Sequence, residues 1–166
     1  MSDFEDIGER LAQSVAAALP ALAAIADETA SRPRAPGKWS PKQVLGHLID
    51  SAANNHQRFV RGQEASDLHL PGYAQDHWVA VQDYGARPWA ALIELWSAYN
   101  RHLAHVIARI PEAARETACT IGPNAPVTLG FLASDYVDHL WHHLAQIGIP
   151  RGEAVSRQDV AQPRQR

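Results

Sequence analysis

The sequence predicts an all-α protein, a four-helix bundle with a long crossover connection between its second and third helices. Three observations carry that expectation. Four stretches place apolar residues at three-to-four spacing, Pro- and Gly-rich segments separate them, and no stretch alternates as a half-buried strand would. At 166 residues the chain suits one domain, here residues 1–150, with a polar, aperiodic tail over 151–166.

The first helix is expected from about Asp3 to Asp27, with Ile7, Leu11, Val15, Ala18, Leu22 and Ile25 on one face. Pro20 lies inside it and should kink or split it. The second helix has the strongest start signal of the chain. Ser40 is the N-cap, Pro41 takes the first helical position, and Gln43 completes a capping box, with Trp39 placed to pack back as a hydrophobic staple. Gly62 follows its expected end at Arg61. Residues 63–87 then form a long connection, a length that tends to be functional or to cross a fold. The third helix opens at Pro88 and runs to Ile110, ahead of Pro111. The fourth takes Thr128 as its N-cap and ends before Gly148 and Pro150.

Composition narrows the function. The net charge is −3, and only two residues are Lys, so clustered basic contacts to nucleic acid are not expected. The Ala-rich run near Val15 to Ala26 is too short and too weakly apolar to span a bilayer. The acidic start Asp3-Phe4-Glu5-Asp6 is unlike a signal peptide, and one cysteine, Cys119, excludes an intrachain disulfide. A cytoplasmic protein acting on a small molecule, without nucleic-acid or membrane partners, is the expectation.

The chemistry is carried by histidines. His139 and His143 are four apart on the fourth helix, where one turn rises about 5.4 Å, so they stack on one face. Two imidazoles so placed can share one metal ion. On a helical wheel both fall at the edge of the apolar arc, with Gln146 beside them and His142 further round on the polar side. His47 occupies the same border on the second helix, in line with Gln43, Ser51, Asn54 and Arg58. Three neutral imidazoles with an open position form a catalytic type of site rather than a closed structural one. His102 and His105, three apart on the third helix, are a weaker alternative pair.

The segments Lys38-Trp39-Ser40-Pro41-Lys42-Gln43-Val44-Leu45-Gly46-His47-Leu48-Ile49-Asp50 and Asp135-Tyr136-Val137-Asp138-His139-Leu140-Trp141-His142-His143-Leu144-Ala145-Gln146-Ile147 resemble the two hallmark segments of the DinB-like superfamily, which includes the YfiT-type metal-dependent hydrolases. Pro71-Gly72-Tyr73 with Trp78, and Trp96-x2-Tyr99-Asn100, extend the resemblance to about Ile149. It implies a four-helix bundle, often a homodimer, with zinc or nickel held by His47, His139 and His143. It implies no single reaction. Several members resemble S-transferases or isomerases that use a low-molecular-weight thiol such as bacillithiol or mycothiol.

A thiol-dependent S-transferase in detoxification or stress response is therefore the leading expectation for function. A metal-dependent hydrolase and a non-catalytic metal- or ligand-binding bundle are the alternatives. Asn54, Arg58 and Gln146 are the candidates for orienting substrate, Arg58 for an anionic group. Asp50, one turn from His47, is the candidate for orienting a ligand from behind. No general base stands out from the sequence.

Overall fold

The computed structural model describes residues 3–152; the expected tail falls, from residue 153 onward, outside the described residues. The helices are α1 (Asp3–Ala23), α2 (Asp27–Ala30), α3 (Pro41–Arg61), α4 (Gln75–Gln82), α5 (Trp89–Ile107) and α6 (Leu129–Gln146). Three short strands join them: β1 (Asp67–Leu70), β2 (Ala118–Ile121) and β3 (Val127–Thr128).

The four long helices, α1, α3, α5 and α6, form the bundle. In it α5 lies between α1 and α3, and α6 closes the other side against both. The long connection between α3 and α5 thus links helices that pack directly on each other. It is not structureless either: it holds β1, α4 and a 3-10 turn over Tyr84–Ala86. Close approach of α1 and α5 depends on Gly8, where a Cβ would meet the Ala104 carbonyl oxygen at 2.6 Å. Trp96, Phe4, Phe59, Leu11, Leu45 and Leu103 are among the fully buried side chains that fill the centre.

Local signals place the helix ends. Gln43 N–H donates to Ser40 Oγ at 3.3 Å and Ser40 N–H donates to Gln43 Oε1 at 2.9 Å, so the capping box at α3 is complete. At α6 the Phe131 N–H donates to Thr128 Oγ1 at 3.1 Å, and Gly148 leaves the helix with φ +85°. Helix α1 runs uninterrupted through Pro20 but ends three residues later, four short of the expected Asp27. Asp27 instead begins α2 and acts across the fold. Its Oδ1 accepts the Trp89 N–H at 2.7 Å, and its Oδ2 accepts from Lys42 Nζ at 2.9 Å, tying the starts of α3 and α5 together.

The sheet is the main departure from the all-α expectation. Its order is β1-β2-β3, with β1 parallel to β2 (Asp67 opposite Ala118) and β2 antiparallel to β3 (Cys119 opposite Val127). Strands of two to four residues are too short to show alternation, and they pair across the two connections that flank α5. Cys119 is buried at its centre, its Sγ 3.5 Å from the Thr117 carbonyl oxygen. Among the described residues no helix is long and apolar enough to cross a membrane.

Candidate metal centre

Helices α3 and α6 bring His47, His139 and His143 together with their Nε2 atoms facing inward. His143 Nε2 lies 3.2 Å from His47 Nε2 and 3.1 Å from His139 Nε2. One ligand atom from each of the three lies within 4.8 Å of the others, the only such cluster among the described residues. A tetrahedral ion with nitrogens at about 2.0–2.1 Å sets neighbouring nitrogens roughly 3.3 Å apart, so the observed spacing fits one divalent ion with little rearrangement.

The protonation states fit as well. Burial pushes His47 down to about 3, reinforced by the neighbouring His143 and His139. Burial likewise takes His139 down to about 4, with His143, His142 and Arg58 adding to it. His143 is also lowered by burial, partly offset by its bond to Gln146. All three are neutral at pH 7, the form that donates a lone pair to a metal. Nδ1 of His143 donates to Gln146 Oε1 at 3.0 Å, which leaves Nε2 unprotonated and aimed at its partners. Nδ1 of His47 and Nδ1 of His139 are buried without a hydrogen-bond partner. Trp39 lies 5.2 Å from the His47 ring and Tyr73 lies 6.5 Å from it.

The cluster borders two openings. An inner cavity of about 240 Å³ is lined by His47 and His139, together with Ser51, Asn55 and Arg58 from α3 and Leu132, Asp135 and Tyr136 from α6. Tyr73 and Gln75 complete its wall. An outer cleft of about 530 Å³ reaches His143 and Gln146 from the side of Arg34, Lys38, Trp39 and Val44. Arg58 Nη1 donates to Asn55 Oδ1 at 3.2 Å. Tyr73 is pushed up to about 12 by burial and by Asp50, and stays a neutral phenol. The Tyr136 hydroxyl donates to Asn100 Oδ1 at 2.6 Å, so its proton is already committed.

Of the residues named from sequence, the three histidines come together in one cluster and Arg58 lines the cavity beside it. Gln146 serves a different part: it holds His143 rather than the inner cavity. Asn54 is displaced from the site. It lines a neighbouring cleft with Gln57, Arg61, Leu70 and Arg58, which borders both openings, and its Nδ2 donates to the Asp50 carbonyl oxygen. Asp50 does not hold His47. Its Oδ1 accepts from Tyr84 at 2.6 Å and Gln82 at 2.7 Å, and its Oδ2 is buried without a partner. Of the alternative pair, His102 meets the His56 ring edge-on at 5.2 Å. Asn55, Tyr73, Gln75, Leu132, Asp135 and Tyr136 were not singled out for the site from sequence. Asp135 had a readable signal, lying four residues before His139 as His139 lies four before His143.

Known proteins are similar to this chain. A protein of Oceanobacillus iheyensis named "Putative metal-dependent hydrolase" is 24% identical over 123 residues, covering 74% of this chain and 70% of the other. A Geobacillus thermodenitrificans protein of the same name is 26% identical over 128 residues, covering 76% and 72%. The fold also resembles that of YfiT from Bacillus subtilis, described as a probable metal-dependent hydrolase with an unusual four-helix bundle topology. The TM-score is 0.75 at 21% identity, covering 93% of this chain and 86% of that one. The sequence model of the DinB superfamily matches residues 10–147, which contain all three histidines and both walls of the cavity, and the chain belongs to that superfamily.

Proposed function

We propose that the protein is a metal-dependent hydrolase acting on a small polar substrate held between α3 and α6. The convergence of three neutral imidazole nitrogens beside a polar cavity carries this reading. His47, His139 and His143 would hold the ion, which, when bound, can polarise a carbonyl and bring water toward ionisation near neutral pH. The remaining work falls to the chain's own groups. Arg58, steadied by Asn55, offers a charged donor for an anionic part of the substrate. Leu132 and Tyr136 supply the apolar part of a largely polar wall. Gln146 keeps His143 in one tautomer.

The names of the relatives favour hydrolysis over thiol transfer, and the thiol reading becomes one arm of the test. Metal content is measured by mass spectrometry in the purified protein and in His47→Ala and His143→Ala, followed by a panel of esters, amides and lactams. The expected result is about one zinc or nickel per chain, lost in both variants together with hydrolysis. No metal after incubation with either ion, or hydrolysis that persists in both variants, overturns the reading. Conjugation of an electrophile only when a low-molecular-weight thiol is supplied would replace it with the transferase.

A further inference from the structure

The inner cavity contains one cation and one anion that do not neutralise each other. Arg58 projects from α3. Its guanidinium donates to the neutral Asn55 and forms no ion pair among the described residues. It acts on His139 and Tyr73, both of which line the cavity, so its charge is felt inside. Asp135 projects from α6 on the face it shares with His139 and makes no hydrogen bond or ion pair among the described residues. Asp138, three residues on, is matched by Arg151 at 2.9 Å and Arg10 at 3.7 Å. The helix thus pairs the Asp138 carboxylate and leaves that of Asp135, exposed and lining the cavity, without a partner among the described residues.

Asp135 is an exposed side chain and Arg58 a half-buried one, and they form no ion pair with each other. They stand on two different helices of a packed bundle, with the Leu132 side chain and the Tyr136 ring in the same wall. A ligand that places a negative end on Arg58 and a positive end on Asp135 satisfies both at once. Either charge alone would leave the other facing a partly desolvated space.

Building on the hydrolase reading, we propose that the inner cavity selects a small zwitterion, an amino acid or peptide-like molecule, with its carboxylate on Arg58 and its ammonium on Asp135. A cavity of about 240 Å³ has room for a ligand of that size. His47 and His139 line the same cavity, so an ion held there would share that space with the ligand.

Binding of glycylglycine, N-acetylglycine (no ammonium) and glycinamide (no carboxylate) is measured by titration calorimetry on the full chain. Each is run with and without zinc, because an amine can itself ligate zinc. The expected result, in both forms, is that glycylglycine binds about tenfold or more tightly than either singly charged analogue. Asp135→Asn should erase its advantage over N-acetylglycine, and Arg58→Met its advantage over glycinamide, with helical circular dichroism unchanged. Equal binding of the three by the parent, binding of none, or a preference that survives both substitutions overturns the proposal. Loss of metal binding would sink the hydrolase reading while leaving the zinc-free preference intact, so the two failures are distinguishable.

Discussion

Oε1 of Gln146 lies 3.0 Å from Nδ1 of His143, while the amide nitrogen of the same side chain lies 3.3 Å from Nε2 of His142. The amide accepts from one ring and donates to the next, so its orientation and the His143 tautomer fix each other. Gln146 is exposed and sits in the last turn of α6, so its loss should leave the bundle intact. Gln146→Ala should weaken zinc affinity by about 10–100-fold, the usual effect of removing a partner behind a ligating histidine. Competition with a chromophoric chelator measures this; unchanged affinity would show that packing alone orients His143.

A second relationship fixes the helix that carries His47. A Cβ on Gly46 would lie 2.1 Å from Cδ2 of Tyr84, so the absent side chain makes room for the phenol ring that reaches Asp50. Gly46→Ala must therefore push Tyr84 off α3 and break the 2.6 Å bond to Asp50. A loss of about 1–3 kcal/mol in urea unfolding is expected. Tyr84→Phe keeps the ring and removes only the donor, leaving Asp50 Oδ1 with Gln82, and should cost about 1–2 kcal/mol. Equal stability of Gly46→Ala and the parent would mean that Tyr84 can move without cost.

What was legible in the sequence was written in local chemistry. Ser40, Pro41 and Gln43 fix a helix start through bonds within four residues, as does Thr128, and the H-x3-H spacing fixes a shared face whatever surrounds it. What was not legible depends on partners from elsewhere. Asp50 looked free to serve His47 because Tyr84 and Gln82 return to it from a connection more than thirty residues on. The sheet exists only through pairing between two separate connections. Asn54 illustrates the limit of a helical wheel. At about 100° per residue it lies roughly 20° to one side of His47, and Asn55 lies about 80° to the other. The wheel favours Asn54, yet the cavity opens on the Asn55 side, where α6 packs. Neighbours, not angles, decide which edge of a stripe becomes a site.

That distinction gives a paired test in the catalytic assay. Asn55 Oδ1 holds the Arg58 guanidinium at 3.2 Å and its Nδ2 is tied to the Ser51 carbonyl at 2.9 Å. Asn55→Ala should free Arg58 and raise KM for an anionic substrate by about fivefold or more, with a smaller change in kcat. Asn54→Ala, facing the adjacent cleft, should leave both within about twofold. The reverse ranking would return the substrate to the cleft beyond Arg58.

Asp27 links three helices and offers a test that needs no substrate. Its carboxylate is held below the ordinary value of 3.8 by the Trp89 backbone N–H first and by Lys42 second. A group whose pKa is depressed by folding stabilises the fold when ionised, and that contribution disappears as pH falls through the folded value. Asp27→Asn keeps an oxygen for the Trp89 N–H but removes the charge facing Lys42. The variant should therefore melt below the parent at pH 7, and the gap should close as the pH is taken below 3.8. Other carboxylates titrate in both proteins and cancel in the difference, so the closing gap reports Asp27 itself. A gap that stays constant from pH 7 to pH values well under 3.8 would mean that hydrogen-bond geometry, not charge, ties α2 to the starts of α3 and α5.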